Sequence, residues 1–247
     1  MLLREDGQGV IAIGQASHSW MSGQLARRWG PPPSPYEEVC LAAEQHDIGM
    51  AAWDLRPALN PETGLPYSFL ELPIVTAIGL WGAAPGKLLT HSRYAALLVS
   101  MHGTALSRRR KLDQLDPADR RLVEDYLGAQ AELQATLTRQ LGADAEELGR
   151  NQRLVWAWDS MSLALCLRWP TVSVEGFTLT EAEPDRFALA PWPFRAEEVR
   201  VHCEGRLLAH RYETEPQLHA ALDHAPSVML SFTLAPSPAP PGATRSA

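Results

Sequence analysis

The sequence predicts a mainly α protein, a bundle of helices with a small β-rich subdomain made from the C-terminal region and an N-terminal hairpin. Three observations predict it. Apolar residues recur at helical spacing through most of residues 16–169, capping and proline signals divide these stretches, and after Trp169-Pro170 the pattern turns to alternating, β-branched runs. The chain has 247 residues, enough for one large or two small domains with a sizeable core. It carries 22 Lys and Arg against 29 Asp and Glu, a net charge of -7, which argues against a nucleic-acid polymer or an anionic membrane as main partner. Cys40, Cys166 and Cys203 are widely spaced with no CxxC, so neither a disulfide framework nor a thiolate zinc site is expected, and a reducing compartment is. The first residues are charged where a signal peptide needs an apolar run, and no stretch approaches the roughly 18 apolar residues of a membrane span. A cytoplasmic location is the expectation.

Residues 1–15 read as a β-hairpin turning at Asp6-Gly7-Gln8-Gly9. The helical domain, 16–169, opens with Trp20, Met21, Leu25, Ala26 and Trp29 on one helical face, stopped by Gly30 and three prolines. Ser34-Pro35-Tyr36-Glu37 has the chemistry of an N-cap, an N1 proline and a capping-box glutamate, and starts a helix running toward His46. Residues 50–72 show no period and are expected as a long loop, a candidate lid. A short helix over 73–83 and a strong, central one over 86–106 follow, the latter ending in the basic run Arg108–Lys111. Asp116-Pro117 opens a long helix to about Leu141, and 145–168 form a further, more apolar one, for five or six helices by residue 168. Residues 170–235 read as an antiparallel β-rich subdomain able to pair with the N-terminal hairpin, and 236–247 as a disordered tail.

Imidazoles and carboxylates lie on successive helices of this bundle in otherwise apolar settings: His18 on the first, His46-Asp47 at the end of the second, His91 and His102 on the central one, Asp159 on the last. Such groups converge inward in helical metal sites. His91 and His102 are 11 residues apart, three turns plus roughly 20°, so both would point the same way, but about 16 Å apart along the axis, so only one can serve a given ion. Asp159, within VWAWDSMSLALCL, would be costly to bury unpaired, and a cation is one way to satisfy it, hydrogen bonds from Ser160, Ser162 or an indole another. Asp54 either makes a turn after the His-Asp pair or orients His18 or His46 from behind. Arg108 and Arg109 belong to a solvated helix end that could also recruit phosphate. His202, His210, His219 and His224 match no site spacing, and no catalytic triad motif, phosphate-binding glycine loop or HExxH is present.

The order His18, His46-Asp47, a central-helix histidine, Asp159 resembles the H…HD…D signature of the HD-domain metal-dependent phosphohydrolase superfamily. The whole chain is also similar to DUF3891, a bacterial family of uncharacterised proteins, through Gln15–His18, His46–Met50, Trp53-Asp54, Leu65–Phe69, Tyr94–His102 and Trp158–Leu163. The superfamily likeness implies an HD-like helical core in which His18, His46, Asp47 and Asp159 surround a divalent ion. Mn, Fe, Ni, Zn or Mg, one or two per chain, suits such a donor set. The likeness implies a second-metal or proton-carrying place for His102, with His91 in a supporting position, and a catalytic part for Asp47 and His102. The substrate would be a small phosphorylated molecule, a phosphate ester or nucleotide, attacked by activated water. A two-iron oxygenase and a non-catalytic, metal-stabilised binding protein are the alternatives. The lysine or glutamate motif that follows the His-Asp pair in the superfamily is missing, which leaves the general acid and the substrate open.

Overall fold

The computed structural model describes residues 1–238. Strands β1 (Leu2–Asp6) and β2 (Gly9–Ile13) form the N-terminal hairpin, and helices α1 (Gln15–Arg28) and α2 (Tyr36–Gln45) follow. A 3-10 turn over Ile48–Met50 leads into α3 (Ala51–Leu55), the two-residue strands β3 (Leu59–Asn60) and β4 (Leu65–Pro66), and α4 (Ile74–Ala83). Then come α5 (Arg93–Arg108), α6 (Pro117–Leu141) and α7 (Ala145–Leu167), the strands β5 (Thr171–Val174), β6 (Phe177–Glu183), β7 (Arg186–Ala190) and β8 (Val199–Leu208), helix α8 (Glu215–His224) and β9 (Ser227–Pro236).

This is an α/β fold, which corrects the mainly α expectation: 51% of the structure is helix and 22% strand, with seven strands in one curled sheet. The sheet runs β1-β2-β8-β9-β7-β6-β5, antiparallel throughout except for the parallel β7–β9 pair. Its halves join where β2 pairs β8, from Val10–Leu208 to Ile13–Gly205. The sheet is not an appendage, because its inner face and the helices bury the same core. Ile11, Ile13, Phe187, Val201, Cys203 and Phe232 pack in one cluster with Met21, Leu25, Leu97 and Trp158. Trp29 sits at the junction, its ring edge-on to Trp158 of α7, Phe177 of β6 and Phe194. The pairing of the hairpin with the C-terminal strands agrees with the sequence reading, but alternating runs leave no local mark of the helices that their inner face covers, so they read as a small unit beside the bundle.

Polar side chains fasten α1 to the sheet. β2 covers only the Gly205–Leu208 end of β8, leaving backbone groups further up that edge without a strand partner. Gln24 satisfies both groups of His202, donating to its carbonyl at 2.8 Å and accepting from its N–H at 3.2 Å. Ser17 does the same for Glu204, at 2.7 and 2.9 Å. These contacts explain two polar residues on a helix that otherwise packs into the core.

Several boundaries differ from the sequence reading for local reasons. Ser92 accepts a hydrogen bond from the Ala95 N–H, so the central helix begins at Arg93 and His91 lies before it. Pro35 is the N-cap of α2 and no side chain caps that helix, so the expected capping box is absent. Asp116 does cap α6, accepting from Ala118 and Asp119, and Gly142 ends it in the left-handed conformation. Seven helices precede residue 168. Residues 50–72 contain α3 and the β3–β4 pair, and α8 was unexpected. Of the tail expected over 236–247, Pro236 ends β9, and 239–247 lie outside the described residues. No described helix is long and apolar enough to cross a membrane.

The turn after His46-Asp47 packs against α4 so closely that only glycine fits: a Cβ on Gly49 would lie 2.1 Å from the Leu80 carbonyl oxygen. Gly49→Ala is therefore expected to lower the unfolding free energy by about 1–3 kcal/mol in denaturant melts. Gly79→Ala, on α4 with open space around it, should be neutral or stabilising by about 0.5–1 kcal/mol. Equal effects at the two positions would contradict this packing.

Candidate metal centre

Four elements each deliver part of one buried cluster. His18 comes from the first turns of α1, His46 and Asp47 from the end of α2, His102 from the middle of α5 and Asp159 from the middle of α7. All five are at least nine-tenths buried. The rings of His18 and His46 lie 5.2 Å apart, and those of His46 and His102 4.7 Å apart.

Hydrogen bonds fix which nitrogen of two imidazoles faces inward. His46 Nδ1 is 2.9 Å from the Ala43 carbonyl, which can only accept, so Nδ1 carries the proton and Nε2 holds the lone pair in the neutral ring. His18 Nδ1 is 2.9 Å from Ser162 Oγ. That hydroxyl donates to the Asp159 carbonyl at 2.8 Å and accepts from Ser22 Oγ at 2.9 Å, so it accepts from His18 as well. Its Nε2, too, is the lone-pair side.

Those lone pairs face carboxylates. His18 Nε2 lies 2.9 Å from Asp47 Oδ2, and His46 Nε2 lies 3.2 Å from Asp159 Oδ1 and 3.7 Å from Asp47 Oδ2. His102 Nε2 is 3.6 Å from Asp159 Oδ2. Two acceptors this close repel unless a proton or a metal ion lies between them. Ligands on an ion with bonds of about 2.0–2.2 Å are spaced by roughly 3.0–3.5 Å, near the separations seen here. Two sets of three donors lie mutually within 4.8 Å: His18, His46 and Asp47, and His46, His102 and Asp159. His46 Nε2 and both nitrogens of His102 have no hydrogen-bond partner, an expense that buried polar atoms seldom bear without a ligand.

In the metal-free protein a proton does part of this work. Burial opposes charge on His46, but Asp47 and then Asp159 outweigh it and lift its pKa to about 9. Burial would likewise raise both carboxyls, yet His46 and the neighbouring imidazoles hold Asp47 and Asp159 below the usual carboxylate range. Burial and the His46 charge push His102 down to about 4.

Around the cluster lies a small cavity of about 40 Å³, walled in part by Met50, Phe69, Trp81 and Leu163. Gln15, one turn before His18, also lines it. This residue was not singled out as a site residue, although it stands in the Gln15–His18 stretch; its side chain is buried and its Oε1 has no partner. Ser22, which donates to Ser162, was equally hidden, since a serine on a buried helix face carries no distinctive pattern, and Ser162, considered from the sequence only as a partner for Asp159, orients His18. Ser160 donates to the Trp156 carbonyl and Ser162 to the Asp159 carbonyl, so neither spends its proton on the Asp159 carboxylate.

Three expected site residues lie elsewhere. His91 is exposed in the turn before α5 and does not share the helical face of His102. Asp54 is buried, but its Oδ2 accepts from the Gln15 backbone N–H at 2.5 Å and it bonds neither His18 nor His46. It holds the start of α1, and burial raises its pKa. Arg108 is exposed at the end of α5, whereas the guanidinium of Arg109 lies 3.8 Å from the Trp156 ring centroid.

Residues 1–210 match the family model described as "Protein of unknown function (DUF3891)". The chain belongs to the DUF3891 family. The match takes in the N-terminal hairpin, every residue of the cluster and the strands through β8, and stops before α8 and β9. No curated protein and no solved structure matches this DUF3891 chain.

The charge pattern sets a pH dependence for chelator-treated protein. With a folded pKa of about 9 and an ordinary value of 6.5, the His46 proton contributes stability fully below pH 6.5 and loses it as pH rises toward 9. The lowered carboxyls add stability above their ordinary 3.8 that is lost on acidification, while the lowered His102 costs stability as pH falls below 6.5. Thermal melts should therefore show the parent midpoint falling from pH 6.5 to 9 more steeply than that of His46→Gln. Parallel slopes would show that His46 is not held as a cation by its carboxylates.

Proposed function

We propose that this DUF3891 protein is a metal-dependent hydrolase of HD type that cleaves a small phosphate ester or nucleotide. The observation that carries the reading is the pairing of inward lone pairs on His18 and His46 with the Asp47 and Asp159 carboxylates at ligand-to-ligand spacing. The chain order His18, His46-Asp47, His102, Asp159 supports it by its likeness to the HD superfamily. Placement in the cytoplasm, with no nucleic-acid polymer or membrane as partner, goes with the same reading.

His18, His46, Asp47 and Asp159 would hold a divalent ion of the Mn, Fe, Ni, Zn or Mg class, and His102 a second one. Bound there, such an ion lowers the pKa of water and polarises a phosphoryl oxygen. Ser162 and the Ala43 carbonyl keep the two ligand imidazoles in the required tautomer and orientation. Where only one ion is held, His102 remains a neutral imidazole with both nitrogens free, able to take a proton from the attacking water and return it to the leaving oxygen. Met50, Phe69, Trp81 and Leu163 keep bulk water from the reacting groups. The Gln15 carboxamide faces the same cavity with a free acceptor for that water.

Elemental analysis of protein purified without chelator or metal-affinity resin tests the reading. One to two equivalents of metal are expected in the parent. Asp47→Asn and Asp159→Asn should lose it while keeping the parent circular dichroism, and chelation should abolish hydrolysis of small phosphate esters. Two irons with oxygen uptake would move the assignment to an oxygenase, and bound metal without turnover of any ester to a binding protein. A parent free of metal even after reconstitution would refute the hydrolase mechanism.

A further inference from the structure

A second, larger cavity of about 460 Å³ opens against the buried cluster. The two spaces share Leu106, Asp159 and Leu163 as common wall, so Asp159 faces the ion-binding side and the larger chamber at once. Helix α7 supplies one wall through Trp156, Asp159, Ser160 and Leu163, a stripe at i, i+3, i+4 and i+7. The opposite wall is the edge strand β5 with Val172 and Val174, and Trp169 stands beside it.

The chamber wall mixes polar groups (Arg109, Asp159, Ser160, Ser173, Glu175) with apolar ones, and its charges are unequal. Glu175, at the turn between β5 and β6, lies 3.9 Å from Arg153 and so has a cation of its own. Arg109 has no carboxylate within 4 Å among the described residues, and its guanidinium rests on the Trp156 ring at 3.8 Å. A cation laid on an aromatic face is held in place while its N–H edges stay free for a further partner. Trp156 in turn packs against His102, with centroids 5.5 Å apart, and Asp159 is its i+3 neighbour. The free guanidinium thus stands one indole away from the cluster.

We propose that this chamber is the substrate site of the centre, that Arg109 anchors the anionic group, and that the substrate is a phosphomonoester with an apolar, ring-sized body. The volume fits a small ester, the single unpaired guanidinium in its wall selects an anion, and Trp169, Val172 and Val174 offer surface to a ring. The inference rests on the reading of the cluster as a hydrolytic metal centre, and it separates Arg109 from Arg108, which lies outside the chamber.

Calorimetric titration with phenylphosphonate, a non-hydrolysable aryl phosphonate, and with methylphosphonate tests it on metal-loaded and on chelator-treated protein. Arg109→Gln is expected to weaken phenylphosphonate binding by about ten-fold or more, the loss of a charge-assisted pair. Its metal content should equal that of the parent, Arg109→Lys should fall between the two, and Arg108→Gln should bind as the parent does. Trp169→Ala should reduce the preference for the phenyl over the methyl compound. Unchanged binding in Arg109→Gln, an equal loss in Arg108→Gln, or no binding by the parent would overturn the proposal. A parent that holds no metal yet binds phenylphosphonate through Arg109 would refute the metal centre and leave the anion site standing, so the two failures are distinct.

Discussion

Two carboxylates in the middle of a packed core impose the constraint around which this molecule is organised. Asp47 and Asp159 lie where an unpaired charge would cost several kcal/mol or more. Three imidazoles converge on them, and two are turned by hydrogen bonds so that the lone pair rather than the proton faces the carboxylates. A cation is needed between these groups, whether a proton shared with His46 or a metal ion. Everything nearby serves that arrangement: Ser22 and Ser162 tie α1 to α7, and Gly49 lets the chain after Asp47 press against α4.

The sheet belongs to the same construction. His18 is placed by α1, and α1 is held on β8 through Ser17 and Gln24, which finish hydrogen bonds that β2 leaves unmade. At its other edge the sheet brings β5 against α7 and encloses the chamber beside Asp159. A helical bundle alone would assemble the five cluster residues but would leave α1 without its seat and the centre without an outer wall. The α/β architecture is in this sense part of the site.

What could be read from the sequence follows from what leaves a local trace. His18, His102 and Asp159 stand out as polar groups on helices with apolar spacing, and His46-Asp47, at the end of α2, through that company and the likeness to the H…HD…D signature; the structure brings all five together. His91 fits the same period only if the helix starts before it, and the Ser92 cap that starts it later looks like any other serine. Asp54 follows the His-Asp pair closely in sequence, but α3 turns it toward the start of α1 instead of the imidazoles. Arg108 and Arg109 are indistinguishable as letters, and one residue of helix rotation puts only the second on Trp156. The join between the N-terminal hairpin and the C-terminal strands was anticipated and is made by β2 and β8, whereas the size of the sheet and its parallel β7–β9 pair were not, since that pair joins residues that local periodicity treats as unrelated.

The most direct test of the central constraint is anomalous diffraction from crystals grown with Mn2+. A peak in contact with His18 Nε2, His46 Nε2, Asp47 and Asp159 is the predicted result, with Nδ1 of each imidazole still bonded to Ser162 and to the Ala43 carbonyl. Full occupancy by Mn2+ elsewhere on the protein, with His18 Nε2 and Asp47 Oδ2 unmoved and no density between them, would show that a proton alone balances the buried charges and would contradict the metal centre.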